Sequence, residues 1–416
     1  MRTPRSPLIA SLIEARGNPR ACMYTEPLWG IPFNLYAPFA SVYMLALGVS
    51  ESSIGLIATV GLSLQMITSV LSGPITDKLG RKRATFIFDT VSWSIPALIW
   101  AFAQDVTWFY AAAICNSMLR ITMTSWTCLF IEDAPANKVV HFWTWVHIAG
   151  LLSGLVAPVA GLLIERFELI PTMRAFYFFT FVSMTAKFVI LNIVCTETEQ
   201  GMRRLDETRG VPLRTLVWEL IRTIPRVLRT RGTFLAVVVL AMNAIYITIR
   251  GSFFAVLLQE GLGFSPGQIG YFPAIRSAVI LLFFFFVIPR LHQERHIGTL
   301  VLGIIATAAG TVLLIFSPVG SIGFVALATL VEAVGAALLA PYIEAFVTAV
   351  IDPRERATVL AIVGTLVLAV ASPFGWVAGL LSEQAKSLPF VLALGVLTIA
   401  LTLLLIRNPE RETSAR

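Results

Sequence analysis

The stretch Gly73-Pro74-Ile75-Thr76-Asp77-Lys78-Leu79-Gly80-Arg81-Lys82-Arg83 decides how this chain is read. It lies between two apolar runs, 52–74 and 84–103, each long enough to cross a bilayer core, which takes about 20 residues per helix. Its two glycines permit a tight turn and close helix approach. One acid and four cations stand where the chain leaves the apolar phase, and basic residues collect on the cytosolic side of membrane proteins. The reading is a membrane hairpin with an inside loop.

Composition carries the same reading outward. The chain is 57% hydrophobic and 13% charged, with a mean hydropathy of +0.81. A soluble domain has about 25% charged residues, so this chain cannot cover itself with polar surface. Twelve apolar runs are predicted to be spans: 28–48, 52–74, 84–103, 106–131, 139–164, 175–195, 233–258, 268–289, 297–317, 320–350, 357–382 and 387–406. The connectors carry turn chemistry, as at Ser50-Glu51-Ser52, Gln104-Asp105, Ser265-Pro266-Gly267 and Asp352-Pro353. With both ends inside, 24 of the 31 Lys and Arg fall on the cytosolic side and only Arg166, Arg174 and Lys386 on the other, which orients the chain. The net charge of +7 then reflects topology and anionic lipid, not nucleic acid. Cys22, Cys115, Cys128 and Cys195 show no paired spacing that would suggest disulfides or a metal knuckle. The polar tail 1–27 lacks the apolar core and cleavage site of a removable signal. The fold class expected is all-α, polytopic and multi-pass.

The polar stretch 196–232 divides the chain into 28–195 and 233–406, followed by a tail, 407–416. Within that stretch, Trp218-Glu219-Leu220-Ile221-Arg222 reads as a short interfacial amphipathic helix. The two halves echo each other. Leu47–Gly55 matches Leu262–Gly270 at an offset of 215, and Ala160–Glu165 matches Ala378–Glu383 at 218. Asp133 precedes span five as Asp352 precedes span eleven, at 219. Six spans per copy keep both copies in one orientation, as parallel repeats.

The loop 73–83 resembles the G-x-L-A-D-R-x-G-R-R loop of major facilitator superfamily transporters, with Ile75 and Thr76 as mild departures. The resemblance runs from span one to span twelve. It implies two pseudo-symmetric six-helix bundles that rock about a central substrate site. It also implies that Gly73, Asp77, Gly80 and Arg81 hold the outward-facing state closed on the cytosolic side. In residue terms, Gly73 leaves room where span two meets the other half, and Asp77 is placed to accept hydrogen bonds from a helix N-terminus. Arg81 is placed to pair with Glu132 or Asp133, and Asp89 lies near enough to join the gate. The alternative is that the cations only anchor the loop, which is the reading for Lys82 and Arg83. The second-half loop Pro289-Arg290-Leu291-His292-Gln293-Glu294-Arg295 has lost the pattern, implying an asymmetric gate. In span five, Gly150, Gly154, Ala157, Pro158 and Gly161 form a small-residue ladder. It partly resembles the Gly-Pro-x-x-Gly-Gly element of proton-driven antiporters, with Ala157 and Leu162 as departures; close helix packing is the preferred reading of the ladder.

Ionisable groups at bilayer depth are costly and are functional candidates by default. Arg120 and Glu332 lie deepest in their spans, and Arg250 is the third expected member of a central cavity. The alternative for Arg120 and Glu332 is a mutual ion pair that only fixes packing. Arg250, Arg276 and Lys187 also have a cheaper route, reaching along their stems to the nearer surface. Asn34 and Tyr36 in span one, and Asn243 and Tyr246 in span seven, are expected to line the cavity. Glu332 is the expected proton-coupling group.

There is no phosphate-binding Gly-Lys-Ser/Thr loop for an ATP-driven pump, and His141, His147, His292 and His296 complete no zinc pattern. No enzyme and no cofactor are expected. The function expected is a secondary active transporter of a small solute in the cytoplasmic membrane, proton-coupled, exporting and monomeric. The alternatives are an importer of an anionic or zwitterionic metabolite, a channel, and a non-transporting sensor, which would be expected to carry a soluble output domain.

Overall fold

The computed structural model describes residues 7–218, 231–287, 290, 296–350 and 356–406. Every regular element among them is helical. Ten helices are long and apolar enough to cross a membrane: Glu51–Leu79, Arg81–Ala101, Val139–Phe167, Leu169–Val194, Phe234–Gly261, Pro266–Phe286, Gly298–Ile315, Ile322–Ile343, Ile362–Gln384 and Leu388–Ile406. They correspond to spans two, three and five to twelve. The interfacial segment from Glu219 onward, loop 289–295 apart from Arg290, the turn at 352–353 and the tail 407–416 lie outside the described residues.

Spans one and four are broken helices, and each break has a local cause. Span one runs as Pro27–Tyr36, a 3₁₀ turn at Ala37–Phe39, and Ala40–Ala46. Pro38 has no N–H to give the Asn34 carbonyl, so the regular ladder is interrupted there. Span four runs as Val106–Asn116 and Leu119–Ile131. Between them the Thr68 hydroxyl of span two donates to the Ser117 carbonyl at 2.7 Å, and the Ser117 hydroxyl donates to Ile114 O at 2.6 Å. Side-chain bonds thus replace ladder bonds at the break.

The loop and the close approach expected at 73–83 need correction. The 73–83 stretch is mostly helix: span two continues through Pro74 to Leu79, and only Gly80, at φ +79°, makes the turn. Pro74 removes a single ladder bond, and an Asp77–Arg81 pair bridges the turn at i, i+4. A Cβ at Gly73 would meet no described atom within 4 Å, so the close approach expected there is made elsewhere. The polar N-tail is also structured. Helices Pro7–Glu14 and Gly17–Thr25 fold back, with Trp145 Nε1 donating to Leu8 O at 2.9 Å and Lys138 paired with Glu14 at 2.8 Å. The stretch after span six opens with a helix, Glu199–Glu207, capped by the Thr198 hydroxyl on Gly201 N at 2.9 Å. Asn18 exchanges two hydrogen bonds with the Thr196 backbone, so the N-tail and this linker helix share one end of the bundle, here the linker end.

The halves meet along two seams, span two against span eleven and span five against span eight. Glycine is required at both. A Cβ on Gly379 would sit 2.6 Å from Glu51 O, and one on Gly161 would sit 2.6 Å from Pro266 O. A Cβ on Gly55 would run into Gly375 O, and one on Gly270 would sit 2.7 Å from Ala157 O and 3.1 Å from Pro158 Cα. Gly154 meets Ser277 of span eight in the same way, so the span-five ladder is a packing surface. These contacts lie at the far end, away from the linker, and in the middle of the helices.

Candidate functional site

The deepest charge cluster is built by four helices of the second half. Gly310 lets span nine press on span ten, since a Cβ there would lie 2.6 Å from Glu332 N. That contact leaves Glu332 only 3% exposed, so its charge must be met from within. Arg250 of span seven reaches Glu332 Oε2 at 3.2 Å, and Arg276 Nε of span eight reaches the same oxygen at 3.2 Å. Arg250 also lies over the Phe254 ring at 4.3 Å, which suits a buried guanidinium. Tyr246, Thr311 and Thr329 complete the lining. The void beside the cluster is about 10 Å³, scarcely one water's room, so no solute fits inside it.

Two cations face one carboxylate here, and they are not equivalent. The Arg250 side chain is 14% exposed and the Arg276 side chain 34%, so Arg276 is the more accessible of the two. Arg120 does not pair with Glu332. Its Nε donates to Gln65 Oε1 of span two at 3.0 Å, and among the described residues no carboxylate forms a salt bridge with it. Arg276 likewise turns inward to Glu332 instead of running to the surface.

The other expected cavity residues divide. Asn34 is half-buried, donates to Gly30 O at 2.8 Å, and lies where spans one, five and eight converge. Asn243 is half-buried in span seven, while Tyr246 is buried against the Glu332 cluster. Tyr36 is a correction: at the end of the first helix of span one it is buried in the first-half core, 4.8 Å from the Tyr177 ring and 5.9 Å from Trp100.

At the linker end, Arg81 is 4% exposed and holds Asp77 Oδ1 at 2.9 Å and Glu132 Oε2 at 3.1 Å. Asp133 instead accepts from Glu199 N at 3.3 Å. Among the described residues Asp77 meets no helix N-terminus; Arg204 of the linker helix takes its second oxygen at 2.7 Å. The Asp77 carboxylate, helped by Glu207, holds the Arg204 guanidinium above its ordinary range. Glu197 accepts from the backbone N–H of Arg81 at 2.8 Å and of Lys82 at 3.1 Å, capping the start of span three. A Cβ at Gly80 would lie 2.5 Å from this carboxylate, so both its φ and its space demand glycine. Thr198 Oγ1 donates to Glu132 at 2.5 Å, and Lys78 Nζ to Val211 O at 2.6 Å. Glu197, Thr198 and Arg204 were not among the expected site residues; the legible signal was the cap-like Thr198-Glu199 opening of the linker.

Asp89 stands apart from this network, buried among Thr85, Leu129 and Phe188 of spans three, four and six. Lys187 does not run to the surface. It is buried, pairs with Glu26 at 2.7 Å and lies 5.7 Å from the Trp126 ring centre. Glu26, expected in a polar tail, is therefore part of a buried ion pair.

A sequence profile described as the Major Facilitator Superfamily matches residues 29–296. The chain belongs to the major facilitator superfamily. No match was found among curated protein sequences. Among solved structures, the nucleoside transporter NupG superposes with a TM-score of 0.70 at 14% identity, covering 94% of this chain and 99% of that one. A POT family transporter in complex with 5-aminolevulinic acid gives 0.70 at 13%, covering 94% and 96%. The human organic anion transporter MFSD10 gives 0.67 at 13%, covering 96% and 100%. At these identities the likeness shows the fold: helical throughout, multi-pass, and built from two related bundles. The seams between spans two and eleven and spans five and eight are then the boundary between the bundles of this superfamily member.

Proposed function

We propose that this member is a secondary transporter that moves a small anionic solute through the membrane by alternating access. The surplus of guanidinium groups carries the reading. Glu332 is already shared by Arg250 and Arg276, and among the described residues Arg120 has only neutral partners, Gln65 and Met123. In a region of low dielectric a surplus cation favours an anion and repels cations. Arg276, a third exposed, and Arg120 on the opposite half are the residues we assign to solute contact, with Asn34 beside them. Glu332 is the proposed proton-coupling group, and the linker end is the proposed cytosolic face. We propose export as the direction, on the partial span-five likeness to antiporters.

The experiment is uptake and release in proteoliposomes under an imposed pH gradient, with panels of anionic, neutral and cationic solutes of similar size. Anions should be moved, and Arg276→Gln and Arg120→Gln should each abolish that preference. Transport confined to cations or neutral solutes would overturn the reading. Opposite stimulation by the two gradient directions reports export against import.

A further inference from the structure

At the far end of the molecule, each half closes the other with the same pair of parts. Span two begins at Glu51 behind the N-cap Ser50, and its second amide, Ser52 N, donates to Glu383 Oε1 of span eleven at 3.0 Å. Span eight begins at Pro266 behind the N-cap Ser265, and its second amide, Gly267 N, donates to Glu165 Oε1 of span five at 3.0 Å. The Ser265 hydroxyl also donates to Glu165. Ser52 and Gly267 are counterparts at the offset of 215, and Glu165 and Glu383 at 218, so one contact is made twice across the internal two-fold. The glycines beneath repeat it: Gly379 under Glu51 and Gly161 under Pro266 bring backbone to within contact at each cap.

From this we infer that Glu165 and Glu383 form a paired outer latch, setting how strongly the transporter favours its outward-closed state. The inference rests on the alternating-access reading above. Physically, the exposed amides of a helix N-terminus carry a partial positive charge, and each carboxylate meets one from the opposite half. Both bonds break when the halves part at this end, because each joins residues of different halves. They are therefore present in one state of the cycle only, which is what a state-setting contact requires. The two sides differ in what is added to the shared bond: on one, the Ser265 hydroxyl donates to Glu165, and on the other, Lys386 pairs with the Glu51 side chain, whose counterpart Pro266 has no such group.

The test uses full-length protein in cells, with Ala58→Cys as reporter and a membrane-impermeant maleimide added outside. Ala58 lies half-buried in the seam, its Cβ 3.2 Å from the Cβ position of Gly375, so its exposure rises when the seam parts. Gln104→Cys, exposed beyond span three, serves as the always-accessible reference, and the unsubstituted protein controls for native thiols. Glu165→Gln and Glu383→Gln keep side-chain volume and remove charge. Each should raise Ala58→Cys labelling roughly threefold to tenfold, the range expected from a charge at a helix N-terminus, and the double variant more than either. Glu165→Gln acts on the other seam, so its effect at Ala58 reports rigid rocking of whole halves. Unchanged labelling in the double variant would overturn the latch. So would failure of the glutamine variants to reach the membrane, which would make the carboxylates folding groups. Ala58→Cys labelling as fast as Gln104→Cys before any latch change would remove the closed seam itself. Labelling needs no solute, so loss of the transport reading and loss of the latch register separately.

Discussion

Removing the Glu332 charge strips two arginines of the acid they share, and the structure ranks this against removing either arginine. Glu332→Gln leaves Arg250 and Arg276 facing each other around a neutral amide in a site with room for about one water. Breaking a buried ion pair from one side costs about 3–5 kcal/mol, because the remaining charge stays desolvated. Arg250→Gln leaves Arg276 and Glu332 paired but strips the carboxylate of its more buried partner, for about 2 kcal/mol. Arg276→Gln leaves a balanced one-to-one pair of Arg250 with Glu332, and its own side chain is 34% exposed, so about 1 kcal/mol or less is expected. The assay is thermal unfolding in detergent followed by tryptophan fluorescence. Melting temperature should fall most for Glu332→Gln, less for Arg250→Gln and least for Arg276→Gln. Pairing Glu332→Gln with Arg250→Gln should recover part of the loss, as expected for residues in one network. Arg276→Gln should lose the anion preference of transport while keeping near-native stability. If Arg276→Gln unfolds as readily as Arg250→Gln, Arg276 is a structural counter-charge and its assignment to solute contact is wrong.

Three further outcomes follow from the linker end and the first half. Gly80→Ala places a Cβ at φ +79° against the Glu197 carboxylate and should cost about 1–3 kcal/mol, read as a lower melting temperature. Arg204→Ala frees one Asp77 oxygen and loosens the linker helix. Amide hydrogen exchange across 199–207 should accelerate roughly tenfold, a loss of about 1.4 kcal/mol of local protection, while spans two and three stay protected. Lys187→Met leaves Glu26 buried without its cation and should destabilise by about 3 kcal/mol, with the Lys187→Met/Glu26→Gln pair recovering most of it; no recovery would show that the lysine stem, not its charge, does the packing.

The spans were legible because length and hydropathy are properties of the chain alone, independent of partners. The two broken spans were read as continuous because a run such as 106–131 stays apolar through Ser117, and the bond that takes up the break comes from Thr68 on another helix. In the site, the depth of each charge could be counted along its helix, but its direction could not. One residue turns a side chain by about 100° around the axis, so from sequence Arg120 was offered as the partner of Glu332 and Arg276 had a route to the surface, and only the packed helices reversed the two. Tyr36 shows the same limit: expected on a cavity wall, it packs in the core against Tyr177 and Trp100. The Arg81–Glu132 contact was readable, since both ends had to meet at one surface. The contacts of Glu197 and Arg204 were not, because a polar connector carries no periodic signal to show where it docks.

The crossed caps carry a consequence for the fragment ending near residue 195. It holds both members of the contact, a helix start at Ser52 and a carboxylate at Glu165, on separate edges. Two such fragments, placed about a dyad, would satisfy each other twice with one self-complementary surface, as isologous homodimers do. Fused in tandem, that dyad survives as a covalent relic, and each side has been free to drift, as Lys386 on one and a proline on the other attest.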